Sequence, residues 1–211
     1  MMGAFIDWLD VRLDVRRLYR EQCAFEMPEG FSFWRIFGAL TIGCVAIQVV
    51  TGVYMLAYYV PVPDMAHQSI RNMCNSSELG ALMRNMHRWS STLAILFVLV
   101  HATHVVARRA YRAPRELTWW TGLTLGVIFA LLLITGVIMP WDWRSYWELV
   151  IWADWVDVIP VVGEQLKGPL LAWYNLGRNF AMHIYILPAL LGVALAVHIY
   201  LIRRLGLSDR V

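Results

Sequence analysis

Four stretches without a single Asp, Glu, Lys or Arg dominate this 211-residue chain: 36–63, 89–107, 117–141 and 179–202. Each can supply about 20 residues of helix, enough to cross a hydrocarbon layer of about 30 Å. In lipid a backbone must satisfy its own hydrogen bonds, and a helix does so within one segment. The runs therefore predict an all-α membrane protein: one domain over 1–211 built on a four-transmembrane-helix bundle, with spans near 33–60, 87–107, 117–140 and 179–203. Charged residues make up only 16% of the chain, against about 25% in soluble domains.

The spans alternate in direction, so the cations sort into two sides. The termini and the 108–116 loop carry twelve Lys and Arg; the other side carries six, namely Arg71, Arg84, Arg88, Arg144, Lys167 and Arg178. That imbalance places both termini on the cytoplasmic or n-side, leaving the opposite face as the p-side. A bacterial cytoplasmic membrane or a thylakoid-like membrane is expected. The net charge of +3 reads as topology, and nothing resembles a nucleic-acid surface.

Residues 1–30 place Phe5, Trp8, Leu9, Val15, Leu18 and Tyr19 among charges at helical spacing, which predicts an amphipathic helix in the n-side interface. Met27-Pro28-Glu29-Gly30 should end it. No small-residue cleavage pattern follows a short apolar core, so a removable signal peptide is not expected. The connection around 61–85 reads as an ordinary p-side connector. The connection at 140–178 is long and rich in Trp, which predicts short amphipathic helices on the p-side surface with a functional role. Cys23, Cys44 and Cys74 form no metal-like spacing and read as free thiols.

The chemistry lies in the histidines. His87 and His101 stand fourteen residues apart on the second span, and His183 and His198 fifteen apart on the fourth. These steps are roughly 21–23 Å along a helix and return near the same face. Both spans run from the p-side to the n-side, so His87 pairs in depth with His183 and His101 with His198. A single buried histidine is as well explained by hydrogen bonding inside a bundle. Four at matched depths favour a shared partner at each level, because an unpartnered buried polar group costs roughly 2–7 kcal/mol. A zinc site would require further ligands that these depths do not offer. Two axial imidazoles suit a six-coordinate haem iron dedicated to electron transfer.

Gly38 and Gly52 on the first span, and Gly122 and Gly136 on the third, repeat the fourteen-residue step. Small-residue packing would explain them alone, and Gly122 with Gly126 could serve it. Beside the histidines they read as clearance for two flat porphyrins. Arg84 and Arg88 on the p-side and Arg115 on the n-side are candidate partners for haem propionates.

With these features the chain resembles the N-terminal half of cytochrome b, in the short b-six form. The resemblance runs over essentially the whole length: DWLDVRLD near the start, HRWSS with a histidine fourteen later, PRELTWWTG, PWD, IPVVG and H-x14-H-x4-RRLG. The fifteen-residue step from His183 to His198 matches the b-six form. The resemblance implies two haems b between the second and fourth spans, a p-side haem on His87 and His183 and an n-side haem on His101 and His198. It further implies a split cytochrome b in a dimeric quinol-oxidising complex. A second membrane subunit would carry the C-terminal half and the PEWY motif this chain lacks, with a Rieske iron–sulfur protein and a c-type cytochrome as further partners. Quinol would bind near Pro140, Trp141, Asp142 and Tyr146, pass one electron to the Rieske cluster and one to the p-side haem, and the n-side haem would reduce quinone.

Three departures stand out. Ile36 occupies the place of the cysteine that holds an extra covalent haem in the b-six form, so that haem is expected to be absent or attached differently. His104 replaces the usual arginine three residues after the second-span histidine, and the chain ends in GLSDRV where relatives often carry a Gly-Pro stretch. Two other readings remain open. One is a di-haem membrane anchor of a dehydrogenase or hydrogenase that feeds quinone. The other is a transporter or assembly subunit whose histidines bind metal or relay protons.

Overall fold

The computed structural model describes residues 2–13, 16, 17, 20 and 33–205. The chain divides into two units, Met1–Ser32 and Phe33–Val211. In the first, α1 (Met2–Leu13) forms over part of the expected amphipathic segment, with Phe5 stacked on Trp8 at 6.2 Å. Arg16 pairs there with Asp7 and Asp10. Val15, Leu18, Tyr19, Cys23 and the expected break at Met27–Gly30 lie outside the described residues, as does the GLSDRV end.

The second unit is built of helices joined by turns and short connections, with no strand among its described residues. Its spans are α2 (Ile36–Leu56), α4 (Glu78–Ala107), α5 (Glu116–Ile138) and a composite fourth span over Leu176–Leu205. The fourth starts as α8 (Leu176–Ala181), passes through a π-helical turn (Met182–Ile186) and continues as α9 (Leu187–Leu205). Only 11–17% of the residues in each span's most apolar stretch are buried within the chain. Val50, Val53, Leu99 and Val193 are more than half exposed, so these helices require an apolar solvent, and the chain is an integral membrane protein.

The spans associate as two couples, α2 along α4 and α5 along α9. Leu125, Ile128 and Leu191 form the apolar seam of the second couple, with Val45, Phe129 and Leu132 against it. α4 and α9 thus each lean on a different partner. The space between the couples is where their histidines point.

The 61–85 connection is more than the ordinary connector its sequence suggested. It forms α3 (Pro63–Ser76) and the first turns of α4, which begins nine residues before His87. Pro63 supplies a preset first turn, and Ala66 and Met73 bury one face of α3. Ser77 caps α4 by accepting the Gly80 N–H at 3.1 Å. Gly80 is obligatory here, because a Cβ would collide with the Met73 carbonyl.

The 140–178 connection contains α6 (Trp143–Asp157) and α7 (Gly163–Trp173). Lys167 joins them, donating to Asp154 at 2.5 Å and Asp157 at 2.7 Å; those carboxylates hold its amine well above the usual lysine range. Cys44 is buried in α2, Cys74 is half-buried, and both are free thiols.

Candidate functional site

His87 and His183 face each other from α4 and the π turn, with ring centroids 6.4 Å apart. Two imidazoles bound through facing nitrogens about 2 Å from one metal would stand with centroids roughly 6 Å apart. One helical level away, His101 on α4 lies against Gly38 and His198 on α9 against Gly122. The histidines therefore gather as two pairs.

The unequal steps, fourteen and fifteen, are reconciled by the π turn that contains His183. Such a turn absorbs one extra residue within a helix. With that residue taken up, His183 and His198 present to α5 the same fourteen-residue rhythm as Gly122 and Gly136.

Each of the four glycines meets one histidine. A Cβ on Gly38 would lie 3.3 Å from the His101 ring, on Gly52 3.4 Å from His87, on Gly122 3.3 Å from His198 and on Gly136 2.9 Å from His183. Gly126, the candidate for simple small-residue packing, has nothing within 4 Å. The glycines let the edge of each imidazole come close to the neighbouring backbone.

Three threonines, unforeseen from the sequence, hold the rings. Thr51 Oγ1 is 2.9 Å from His87 Nδ1, Thr135 Oγ1 is 2.9 Å from His183 Nδ1, and Thr121 Oγ1 is 2.8 Å from His198 Nδ1. Each precedes a site glycine, so a repeated Thr-Gly dipeptide was the available signal. Each hydroxyl donates its proton to its own helix: Thr51 to the Ile47 carbonyl at 2.6 Å, Thr135 to Leu131 at 2.7 Å and Thr121 to Thr118 at 2.9 Å. The oxygen is left to accept from Nδ1–H, which leaves Nε2 bare and ready to bind a metal. Gln48 adds to this level, donating to the His87 carbonyl and, at 2.6 Å, to Ser90 Oγ.

Among the described residues no group of three or more His, Cys, Asp or Glu forms a metal cage. A pair of bare imidazole nitrogens with glycine clearance on both sides fits a flat macrocyclic complex that brings its own equatorial ligands. Of the candidate propionate partners, Arg84 and Arg88 flank His87 within α4 and Arg115 caps the start of α5. Arg84 is half-buried and Arg88 exposed on α4. Arg115, at the start of α5, donates to the Leu205 carbonyl at 3.3 Å and so ties the ends of α5 and α9.

The candidate quinol residues lie where α5 turns into α6. Pro140 and Trp141 make the turn, and Trp141 takes a φ of 49°, an unusual backbone for a bulky residue and one that concentrates at functional places. Its ring stacks on Tyr174 at 5.5 Å. Asp142 is the N-cap of α6, accepting from Ser145 N–H and Oγ–H, each at 2.8 Å. Burial works against its charge, but the Ser145 bonds and nearby His67 hold its pKa below the ordinary carboxylate value. Asp142 is thus a fixed anion. Tyr146 is exposed and packs edge-on against Trp147. Sequence reasoning missed Tyr59, which donates to the Met139 carbonyl at 2.7 Å and stacks on Phe180, tying three spans together at this end. Burial raises its phenol pKa.

The comparisons with known proteins agree with one another. The family described as Cytochrome b/b6/petB matches residues 23–206. Cytochrome b6 of Synechococcus elongatus is 31% identical over 98% of this chain and 99% of its own length, and cytochrome b6 of a second Synechococcus strain gives the same figures. A chain of a hyperthermophilic respiratory Complex III superposes with a TM-score of 0.85 at 28% identity over 96% of this chain. This chain spans 56% of that larger one. A four-span bundle with two histidine levels, matched over nearly its whole length by these relatives, is a member of the cytochrome b family.

Proposed function

We propose that the chain is the di-haem transmembrane electron-transfer subunit of a quinol–cytochrome c or plastocyanin-type oxidoreductase, contributing to proton-motive force. Membership of the family implies haem b; the pairing of each histidine with its own glycine carries the more specific reading. His87 and His183 would hold the p-side haem, and His101 and His198 the n-side haem. When bound, such haems supply two one-electron stations across the membrane.

The chain's own residues prepare those places. Thr51, Thr121 and Thr135 fix three rings with Nε2 bare. Gly38, Gly52, Gly122 and Gly136 keep the helix surfaces flat. Arg84, Arg88 and Arg115 offer cations at the edges. Pro140, Trp141, Asp142 and Tyr146 would border the p-side quinol site with a second membrane subunit carrying the C-terminal half. Asp142, held as an anion by Ser145, would shape that border and leave the quinol's proton to another group. A Rieske protein and a c-type cytochrome complete the complex, both termini lie on the n-side, and Ile36 leaves no thiol for a covalent haem at its position.

The test is a reduced-minus-oxidised spectrum and haem count on the chain purified with its co-purifying subunits. Two b-haems per chain and a Rieske signal are expected. Two haems without a Rieske partner would replace this reading with a dehydrogenase or hydrogenase anchor, and no haem would end both. His101→Leu should remove the n-side haem and leave the p-side haem assembled.

A further inference from the structure

The two histidine levels are supported unequally. Three of the four rings have a threonine hydroxyl on Nδ1. The fourth, His101, has its Nδ1 buried with no hydrogen-bond partner. One residue differs with it. The position before the glycine is threonine at 51, 121 and 135, and phenylalanine at 37. Phe37 turns its ring to Phe97 at 5.7 Å and Trp34 at 5.9 Å and has no oxygen to offer. The first level thus has two hydroxyl acceptors and the second has one.

We propose that the residue before each glycine is a potential-setting positioning residue, and that Phe37 in place of a fourth threonine makes the His101–His198 level the better electron acceptor. This rests on the haem-binding reading above. An acceptor on Nδ1–H makes the imidazole a stronger donor through Nε2, which favours the oxidised metal; hydrogen bonds of this kind are among the protein's means of setting a haem potential. His87 and His183 both receive that push. At the other level only His198 does. One electron moving from the first level to the second oxidises one station and reduces the other, so the asymmetry biases that exchange in a fixed direction across the membrane. The alcohol protons are already committed to the Ile47, Leu131 and Thr118 carbonyls. The hydroxyls therefore act as acceptors toward the rings.

The experiment is equilibrium potentiometry of the b-band on the intact complex, with haem content measured on each variant. Phe37→Thr should lower the potential of the n-side haem, shifting its oxidised-to-reduced ratio about tenfold at fixed ambient potential, or 59 mV for a one-electron couple. Phe37→Leu, which loses the aromatic contacts but adds no acceptor, should leave that ratio unchanged. Thr51→Val and Thr135→Val should move the p-side haem the opposite way, and Thr51→Ser should restore it. Should the valine variants fail to assemble, Phe37→Thr with its leucine control still decides. An n-side potential that does not move in Phe37→Thr, or moves equally in Phe37→Leu, overturns the inference while the function stands. A parent complex without b-haem overturns the function itself.

Discussion

The two histidine levels use the same scaffold and differ in how tightly α2 is fastened to α4 beside them. Near His87 the fastening is polar: Gln48 reaches across to the His87 carbonyl and Ser90 Oγ, and Thr51 holds the ring. Near His101 it is aromatic, Phe37 on Phe97, and the ring's Nδ1 has no hydrogen bond. Polar bonds fix a ring's azimuth and tautomer; aromatic packing fixes only the distance between helices. A repeat visible as a fourteen-residue rhythm therefore hides two unlike environments.

The largest effect should come from removing clearance. A Cβ on Gly136 would stand 2.9 Å from His183 Cε1, closer than real Cβ contacts come, whereas on Gly52 it would stand 3.4 Å from His87. The His183 ring cannot easily retreat, because Thr135 on the same helix holds its Nδ1. Gly136→Ala should cost at least half of the p-side haem and leave the n-side haem intact, while Gly52→Ala keeps both. Haem-to-protein ratios and split b-band spectra on the purified complex would show this. Equal losses in the two variants would mean that the closeness of the added Cβ to the ring does not decide haem retention.

A middle-sized effect should separate the polar fastening from the aromatic one. Gln48→Leu removes the bonds to the His87 carbonyl and Ser90 Oγ, at about 1–3 kcal/mol for partners left unpaired. Its thermal unfolding should shift downward, with p-side haem lost first on heating. Phe97→Leu should reverse the order of loss. If both variants release the haems together, the levels are not independently held.

How much of this was legible varies with the kind of residue. Spans, histidines and site glycines were legible because in a transmembrane helix residue number translates directly into depth and azimuth. α3 was missed because its buried face rests on little more than Ala66 and Met73, too sparse a pattern beside its polar residues. The π turn was hidden because an extra residue in a helix looks the same whether it is absorbed or rotates the face. The threonines were overlooked because a hydroxyl on one span does not announce a partner on another. The threonine contacts link residues 36 to 77 positions apart. Gln48 and Tyr59 escaped for the same reason.

The smallest effect concerns the outer ends of the two levels. Beyond His183 the chain turns through Trp141 into α6 on a titratable cap, Asp142. Beyond His198 the ends of α5 and α9 are tied by Arg115 to a backbone carbonyl, an acceptor that does not titrate. Ser145 holds the folded Asp142 pKa below its ordinary value near 4. Its contribution is present above that value and is lost as pH falls through the lower folded pKa, because the unfolded state then binds the proton more readily. Acidification below about pH 4 should therefore loosen the start of α6 and leave the Arg115 end unchanged. Asp142→Asn keeps an oxygen to accept from Ser145 but abolishes the pH dependence, and Asp142→Ala loses the cap itself at about 1 kcal/mol. Amide hydrogen exchange over 143–149, compared with 116–122 across the same pH range, measures the difference. Loosening of both ends in the parent protein, or loosening that persists in Asp142→Asn, would move the acid sensitivity away from the cap and into the bundle shared by the two levels.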